Sequence, residues 1–206
     1  MYEMEQGMDK QKNGGVENIR QRAEEGDVES QFWLAVSYHM GKGITKDCEQ
    51  AVIWYRKAAE KNHTPAQFNL AMLFYLGNDV PKDLNETAKW MTRAAEQGEA
   101  ASQNTLAVLY YNGEGVEKSI EEAIKWWRRS AENGNSKAQV SLGAMHYDGK
   151  GVKKDMVQAL MWNNLSVENG SEDGKQNQDT LEKEATPEQI TEAKKLADEW
   201  IKNQSI

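Results

Sequence analysis

The side chains best suited to catalysis or metal binding are few in this sequence. Its three histidines, His39, His63 and His146, are too far apart in the chain to form a local pair of metal ligands. The motifs Gly-x-Ser-x-Gly, His-Glu-x-x-His and Ser-x-x-Lys, which build hydrolytic sites, do not occur. Most carboxylates fall at helix starts or on solvated faces, where Asp and Glu are common. We therefore expect a non-enzymatic protein with no catalytic residues, no cofactor and no metal.

Paired glycines raise the alternative of a phosphate-binding loop. They occur in 41–43, 113–115 and 149–151 as Gly-x-Gly, whereas the related segment 77–80 reads Gly-Asn-Asp-Val. A phosphate loop follows a strand and carries a third glycine three residues on, but these pairs end a helical pattern and lack that glycine. The pairs instead suit the left-handed backbone with which many helices end.

One period relates these segments to each other. Four tryptophans and four alanines recur at intervals of 36 residues, namely Trp54, Trp90, Trp126 and Trp162, and Ala23, Ala59, Ala95 and Ala131. A fixed period of this length is typical of stacked helical hairpins that cannot bury their apolar faces alone. We predict a flexible tail at 1–15, a capping helix at 16–26, repeats at 27–62, 63–98, 99–134 and 135–170, and a degenerate helix with a C-terminal capping helix at 171–206.

Each repeat is predicted to contain two helices. The first carries one apolar face, as in Gln31, Leu34, Ala35 and Tyr38, and ends at the glycine pair. The second opens with a capping box, in which an N-cap side chain and the residue three positions later bond to each other's backbone amides. The predicted boxes are Asp47 with Gln50, Asp83 with Glu86, Ser119 with Glu122, and Asp155 with Gln158. Along the second helix, the recurring tryptophan is expected to fill the space between repeats.

The C-terminal region departs from this pattern. A fifth first helix is expected after Gly170, but Gln178 and Asp179 stand where Leu and Ala stand in the repeats. We expect that helix to be irregular or weakly packed, with Leu181 as its main anchor. Thr186-Pro187-Glu188-Gln189 then supplies the cap, first-turn proline and glutamine that open a last helix.

Composition narrows the class of partner and the compartment. The net charge is -8, from 33 acidic and 25 basic residues, which argues against a nucleic-acid site because phosphate binding needs clustered cations. The single cysteine, Cys48, cannot form an internal disulfide and shares a column with Leu84, Ile120 and Met156, so we interpret it as a small buried hydrophobe. No run of 18 apolar residues occurs, and we expect no membrane span. The polar N-terminal segment favours a cytoplasmic product, with an exported form left open.

The repeat columns resemble the Sel1-like repeat (SLR) family, a relative of the tetratricopeptide repeats. The resemblance covers about residues 16–202. In the fourth repeat it is carried by Ala138, Gln139, Leu142, Gly143, Gly149, Gly151, Val152, Asp155, Ala159 and Trp162. In the third it is carried by Leu106, Tyr110, Gly113, Gly115, Val116, Ala123, Trp126, Ala131 and Gly134. The period and the resemblance together predict an all-α, right-handed α/α superhelical solenoid of 36-residue helix-loop-helix repeats.

The resemblance implies a scaffold or adaptor that binds a peptide or protein along the concave face. An alternative is a β-lactam-binding or weakly hydrolytic protein, by analogy with cysteine-rich relatives, although their paired cysteines are missing here. We expect a protein partner, no nucleic acid, no membrane and a monomer, with self-association through exposed apolar residues left open.

Residues of the first helices whose chemistry changes between repeats are the candidate partner-binding set, because core positions rarely vary in this way. The set is Trp33, Met40, Asn69, Leu76, Thr105, Asn112, Ser141 and Asp148. Its first half is mainly apolar and its second half polar, which predicts an apolar anchor site followed by polar specificity contacts. Local packing is the competing interpretation for the neighbouring columns that begin with Val36 and Ser37.

Overall fold

The computed structural model describes residues 15–204, and these residues form eleven α-helices without a strand. The predicted all-α repeat fold is therefore confirmed. The predicted tail lies, apart from Gly15, outside the described residues. The chain divides into two compact units, 1–97 and 98–206. Within residues 15–204, no helix is both long and apolar enough to cross a bilayer.

The first unit contains a leading helix followed by two helical hairpins. Its helices are α1 (Gly15–Glu24), α2 (Val28–Met40), α3 (Cys48–Glu60), α4 (Thr64–Leu76) and α5 (Leu84–Glu96). The second unit contains two hairpins and a closing pair of helices. Its helices are α6 (Ala100–Asn112), α7 (Ile120–Glu132), α8 (Ser136–Asp148), α9 (Met156–Glu168), α10 (Glu172–Glu184) and α11 (Pro187–Gln204).

The ends of these helices follow local sequence chemistry. Each first helix of a repeat ends at a glycine with left-handed backbone, at Gly41, Gly77, Gly113 and Gly149. Each second helix begins after an N-cap residue whose side chain accepts a hydrogen bond from a backbone N–H of the first turn. These N-cap residues are Asp47, Asp83, Ser119 and Asp155.

The predicted capping boxes are wrong in one respect for the four repeats, because the side chain three residues after the N-cap does not accept from the N-cap amide. The N-cap amides of Asp47, Asp83, Ser119 and Asp155 donate to the carbonyls of Tyr38, Phe74, Tyr110 and His146, at 2.9–3.1 Å. The loop thus folds back on the last turn of the preceding helix, and this backbone bond takes the donor that the box would use. A reciprocal box forms at the last helix, where Gln189 N–H donates to Thr186 Oγ1 and Thr186 N–H donates to Gln189 Oε1.

The recurring tryptophans lie in the core, as predicted. Trp54, Trp90, Trp126 and Trp162 are all buried beside alanines that are fully buried on the same helices. Burying a large aromatic ring removes about 150–250 Å² from water, which is worth about 4–6 kcal/mol before conformational entropy is subtracted. The tryptophans therefore supply much of the apolar burial within each unit.

The first helix of each repeat contains a buried glutamine. We call Gln31, Gln67, Gln103 and Gln139 the glutamine column. The amides of Gln31, Gln67 and Gln139 donate to the carbonyls of Ala23, Ala59 and Ala131 at 3.0–3.1 Å. The carbonyl oxygens of Gln67, Gln103 and Gln139 accept from the side chains of Gln97, Asn133 and Asn169 at 2.6–3.0 Å. Each of these three glutamines thus links its helix to the end of the second helix of its own repeat.

Helix α10 follows one of the two alternatives predicted for it, because it is weakly packed rather than irregular and Leu181 is its buried anchor. It is a regular helix of 13 residues, capped by the Ser171 hydroxyl, and not an irregular segment. Its buried residues are Gly174 and Leu181, so its apolar contact is small. A Cβ at Gly174 would collide with Ser166 Oγ of α9. Glycine therefore allows α10 to approach α9 closely, and this close contact replaces the missing Leu and Ala side chains.

An acidic side chain joins the two repeats of the first unit. Glu86 of α5 contacts Arg56 of α3 at 2.7 Å, Lys89 at 2.9 Å and the Trp90 indole N–H at 3.1 Å. Desolvation raises the pKa of Glu86, but the hydrogen bonds from Lys89, Trp90 and Arg56 outweigh it and lower the pKa to about 2. Because the folded pKa lies below the unfolded one, this group stabilises the fold at neutral pH.

Replacing Gln67 tests the glutamine column. Gln67→Leu should lower the free energy of unfolding by about 1–3 kcal/mol, because the Ala59 carbonyl loses the buried Gln67 amide, whereas the exposed Gln97 amide loses Gln67 but keeps its bond to the Arg93 carbonyl. Urea unfolding followed by circular dichroism measures the change. Gln31→Leu is the matched control, since Gln31 Oε1 has no partner among the described residues. An equal loss in the two variants would contradict the bridging role.

Replacing Glu86 tests the acidic contact. Glu86→Gln should cost on the order of 1–3 kcal/mol at neutral pH. In the parent, the contribution is complete above the ordinary pKa of 4.5 and disappears as the pH falls towards about 2. Urea unfolding across this range should therefore show a weaker acid dependence in the variant. Glu122→Gln, at the equivalent position beside Lys125 where the side chain is 37% exposed rather than 22%, should change this dependence less. Identical pH profiles for Glu86→Gln and the parent would contradict the assignment.

Candidate functional site

The predicted partner-binding residues of the first unit have different environments. Met40 and Leu76 are exposed, at 49% and 54%, and Asn69 is half-buried. These three residues line one cleft of about 220 Å³, and the structure thus brings them together.

Trp33 is the exception, because it is only 8% exposed. Its indole N–H donates to Glu29 at 2.7 Å, and its ring packs edge-on against Phe32 with centroids 5.0 Å apart. The expectation that Trp33 offers its ring to a partner is therefore corrected. The signal that sequence reasoning missed is Glu29, one helical turn before Trp33, which satisfies the indole and holds it in the fold.

We call the cleft that Met40, Asn69 and Leu76 line the unit-1 cleft. It lies between the first helices α2 and α4, with a side chain of α3 at its base. Its apolar residues are Val36, Met40, Met72, Leu73 and Leu76, and its polar residues are His39, Tyr55, Asn69, Asn78 and Asp79. The Asn69 amide donates to the Tyr55 hydroxyl at 3.4 Å, and burial raises the pKa of Tyr55. The phenol is thus neutral and polar at the base of an otherwise apolar wall.

Asp79 organises the polar end of the unit-1 cleft. Its carboxylate contacts Lys46 Nζ at 2.7 Å and His39 Nε2 at 3.6 Å. The hydrogen bond from Lys46 is the main cause that lowers the pKa of Asp79. The cleft therefore presents a carboxylate whose charge is already balanced by a lysine.

The position of Asp79 follows from a departure in the repeat pattern. The equivalent loops have glycine with positive φ, and at Gly151 a Cβ would lie 2.5 Å from Ile120. Asp79 does not share the positive φ of these glycines, and Cys48, which occupies the column of Ile120, is much smaller than isoleucine. Sequence reasoning noted the missing glycine but did not connect it with Cys48, so it missed the Asp79, His39 and Lys46 cluster.

Cys48 is half-buried rather than part of the core, and its thiol is free. Burial, followed by the charge of Asp79, raises the pKa of this thiol. Since the thiolate is the reactive form, this environment disfavours nucleophilic chemistry. Among residues 15–204, no group of three or more His, Cys, Asp or Glu side chains is arranged to hold a metal ion.

The predicted residues of the second unit are engaged locally. The hydroxyls of Thr105 and Ser141 donate to the backbone carbonyl four residues earlier, at 2.9 and 3.0 Å. The Asn112 amide donates to Glu114 at 3.1 Å, and Asp148 pairs with Lys150 at 2.9 Å. None of the four lines the second cleft described next, and their role in partner binding stays a prediction.

A second cleft, the unit-2 cleft, lies between the first helices α8 and α10. Its volume is about 160 Å³, and it is lined by Val140, Gly143, Ala144, Tyr147, Asn163, Asn177, Thr180 and Leu181. The Tyr147 hydroxyl donates to the Glu184 carboxylate at 2.8 Å, which raises the pKa of Tyr147. In repeat register Asn163 corresponds to Tyr55, so the two clefts occupy equivalent places in their own units. Sequence reasoning did not select Asn163, although Tyr55, Met91 and Trp127 make it the odd residue in its column.

Comparison with known protein families identifies the same four repeats. A family model described as the Sel1 repeat matches residues 28–63, 64–99, 100–135 and 136–171, each one residue after the predicted start. A search of curated proteins finds no match.

Solved structures include similar proteins. The chain is 36% identical to a protective antigen present in uropathogenic Escherichia coli strains, which displays an SLR fold, with a TM-score of 0.81. The match covers 91% of this chain and 40% of the antigen, so this chain spans less than half of that protein's length. A Sel1 repeat protein from Oxalobacter formigenes is 31% identical with a TM-score of 0.73, and the match covers 88% of this chain and 75% of that one.

A more distant likeness concerns the fold alone. The cysteine rich protein B of Helicobacter pylori is 24% identical, with a TM-score of 0.52, and the match covers 64% of this chain and 95% of that one. The family model spans most of the chain, and two solved structures share at least 31% of its residues over nearly its whole length. On this evidence, the chain belongs to the Sel1 repeat family.

Proposed function

We propose that this chain is a non-catalytic scaffold that binds a protein or peptide partner through the unit-1 cleft. Sel1 repeat proteins generally act as protein-interaction scaffolds. The finer statement, that an apolar side chain of the partner enters this cleft, rests on the chemistry of the cleft itself.

The observation that carries the proposal is the exposure of Met40 and Leu76 on facing helices. Both are large apolar side chains that are about half exposed. They line the same cleft as Met72, and polar residues line the rest of it. Exposed apolar surface with a polar rim marks an interaction site, because water contact with it is unfavourable until a partner covers it. Methionine adapts its shape easily, which suits a surface that receives another side chain.

The size of the cleft favours a partner side chain over a cofactor. Its volume of about 220 Å³ is below the roughly 300–1,000 Å³ that is common for small-molecule sites. The charge balance of Asp79 and Lys46 at one end further favours a neutral, apolar anchor over a charged one. A polypeptide with an exposed aliphatic or aromatic residue meets both requirements.

The β-lactam alternative has no support. The similarity to the cysteine rich protein is confined to the fold, the sequence has a single cysteine, and the environment of Cys48 disfavours its thiolate. The monomeric state and the cytoplasmic location stay predictions.

Replacing Leu76 tests the proposed anchor site. Leu76→Asp should weaken partner binding more than tenfold, since loss of an anchor contact typically costs about 2 kcal/mol or more. Partners can be identified by mass spectrometry after capture from the source cell on immobilised parent protein, and the affinity of each purified partner is then measured by calorimetry.

Ile53→Asp is the matched control, because Ile53 is 45% exposed but does not line the cleft. This control should bind like the parent, and both variants should keep the parental thermal midpoint because neither side chain is buried. Equal affinity of Leu76→Asp and the parent for every captured partner would overturn the proposal.

A further inference from the structure

Asn163, at the base of the unit-2 cleft, differs from the residues at the equivalent position of the other repeats. The preceding members of the column are Tyr55, Met91 and Trp127, which are all large and buried. Asn163 is shorter, and Gly143 stands on α8 where the other repeats have alanine. Both residues line the cleft, and the Asn163 amide lies at its base.

The Asn163 amide has no visible use within the fold. The residue is 2% exposed, and its Nδ2 has no hydrogen-bond partner among residues 15–204. A buried N–H donor without an acceptor destabilises a fold, and natural proteins contain few such groups. Asn163 lines the unit-2 cleft, and a small movement of its side chain would bring this donor to an acceptor placed in the cleft.

The remaining lining residues limit the chemistry of that acceptor. The cleft has no Lys, Arg or His in its wall, and the Glu184 carboxylate lies against the Tyr147 hydroxyl. A carboxylate ligand would thus meet the charge of Glu184, whereas the ammonium of Lys154 lies outside the wall, 5.1 Å from the centroid of the Tyr147 ring. Val140, Ala144 and Leu181 offer apolar contact to a short aliphatic stem. A neutral acceptor on such a stem fits both the charge and the surface.

The volume restricts the ligand to a single side chain. About 160 Å³ is roughly half of the smallest common small-molecule site. A carboxamide group also supplies donors, and the Tyr147 oxygen can accept one of them while its own hydrogen is given to Glu184.

We propose that the unit-2 cleft binds the side-chain carboxamide of an Asn or Gln residue in a polypeptide partner. Asn163 Nδ2 donates to the carboxamide oxygen, and the Tyr147 oxygen accepts from the carboxamide nitrogen. The inference rests on the proposed function only in that the ligand belongs to a polypeptide. Its test uses neither the unit-1 cleft nor a captured partner, so the two proposals can fail separately.

The test is an NMR titration of the full chain, labelled with ¹⁵N, that follows the side-chain amide resonances of Asn163. The probes are the N-acetyl methylamides of glutamine, asparagine, glutamate, norleucine and glycine. We expect saturable shifts with glutamine or asparagine, and at least fivefold weaker binding of the other three. Equal binding of the glutamate or norleucine probe would overturn the carboxamide assignment. Equal binding of the glycine probe would show main-chain recognition and would also overturn it.

Two variants separate the cleft from general effects on folding. Asn163→Leu removes the donor at similar size and should abolish the glutamine-dependent shifts of the backbone amides that line the cleft. Ala144→Met fills the cleft from its exposed side with the residue found at the equivalent Met72. Ala144→Met keeps the Asn163 resonances and should abolish the glutamine-dependent shifts. Lys137→Met, on the exposed side of α8 outside the cleft, and Leu76→Asp should leave them unchanged. Undiminished binding in Ala144→Met would place the probe elsewhere and refute the proposal.

Discussion

The arrangement of helices within each unit depends on buried glutamine side chains, whose amide groups need both a hydrogen-bond donor and an acceptor. Each residue of the glutamine column lies where water is excluded, so an unmade hydrogen bond there is costly. For Gln67 and Gln139, one bond reaches back to the preceding second helix and the other reaches the end of the following second helix. A shift of one helix along another would break both bonds. Apolar burial of the tryptophans brings the helices together, and the glutamines restrict them to one register.

This division of roles leaves the faces of the first helices free to vary. Since register is set by the glutamine column and burial by the tryptophans, residues at the cleft bases can change without loss of the hairpin. Tyr55 and Asn163 illustrate the result, because they occupy the same column but place a phenol in one cleft and an amide in the other. The two units therefore keep one backbone plan and offer different chemistry.

Much of the fold was predictable because it repeats. The period identified the hairpins, their glycine ends, the N-cap side chains and the buried tryptophans, and each column was supported by several independent copies. The errors arose where a single residue acts through a partner that the period does not reveal. Trp33 is held by Glu29, and Asp79 depends on the small size of Cys48. The capping boxes failed for another reason, since a backbone carbonyl from the preceding helix competes for the same amide.

Variation of a repeat position from one repeat to the next was an incomplete guide to the site. A variable position can face a partner, as the exposure of Met40 and Leu76 suggests, or it can be variable because its contacts are local, as for Thr105 and Ser141. The more informative signal is a residue that is buried, differs in chemistry from its column and has a polar atom without a hydrogen-bond partner. A buried position that merely packs can exchange one apolar side chain for another, but it gains nothing from an amide that is left without a partner. Asn163 meets this criterion and Trp33 does not, because the indole donor of Trp33 is already satisfied within its own helix.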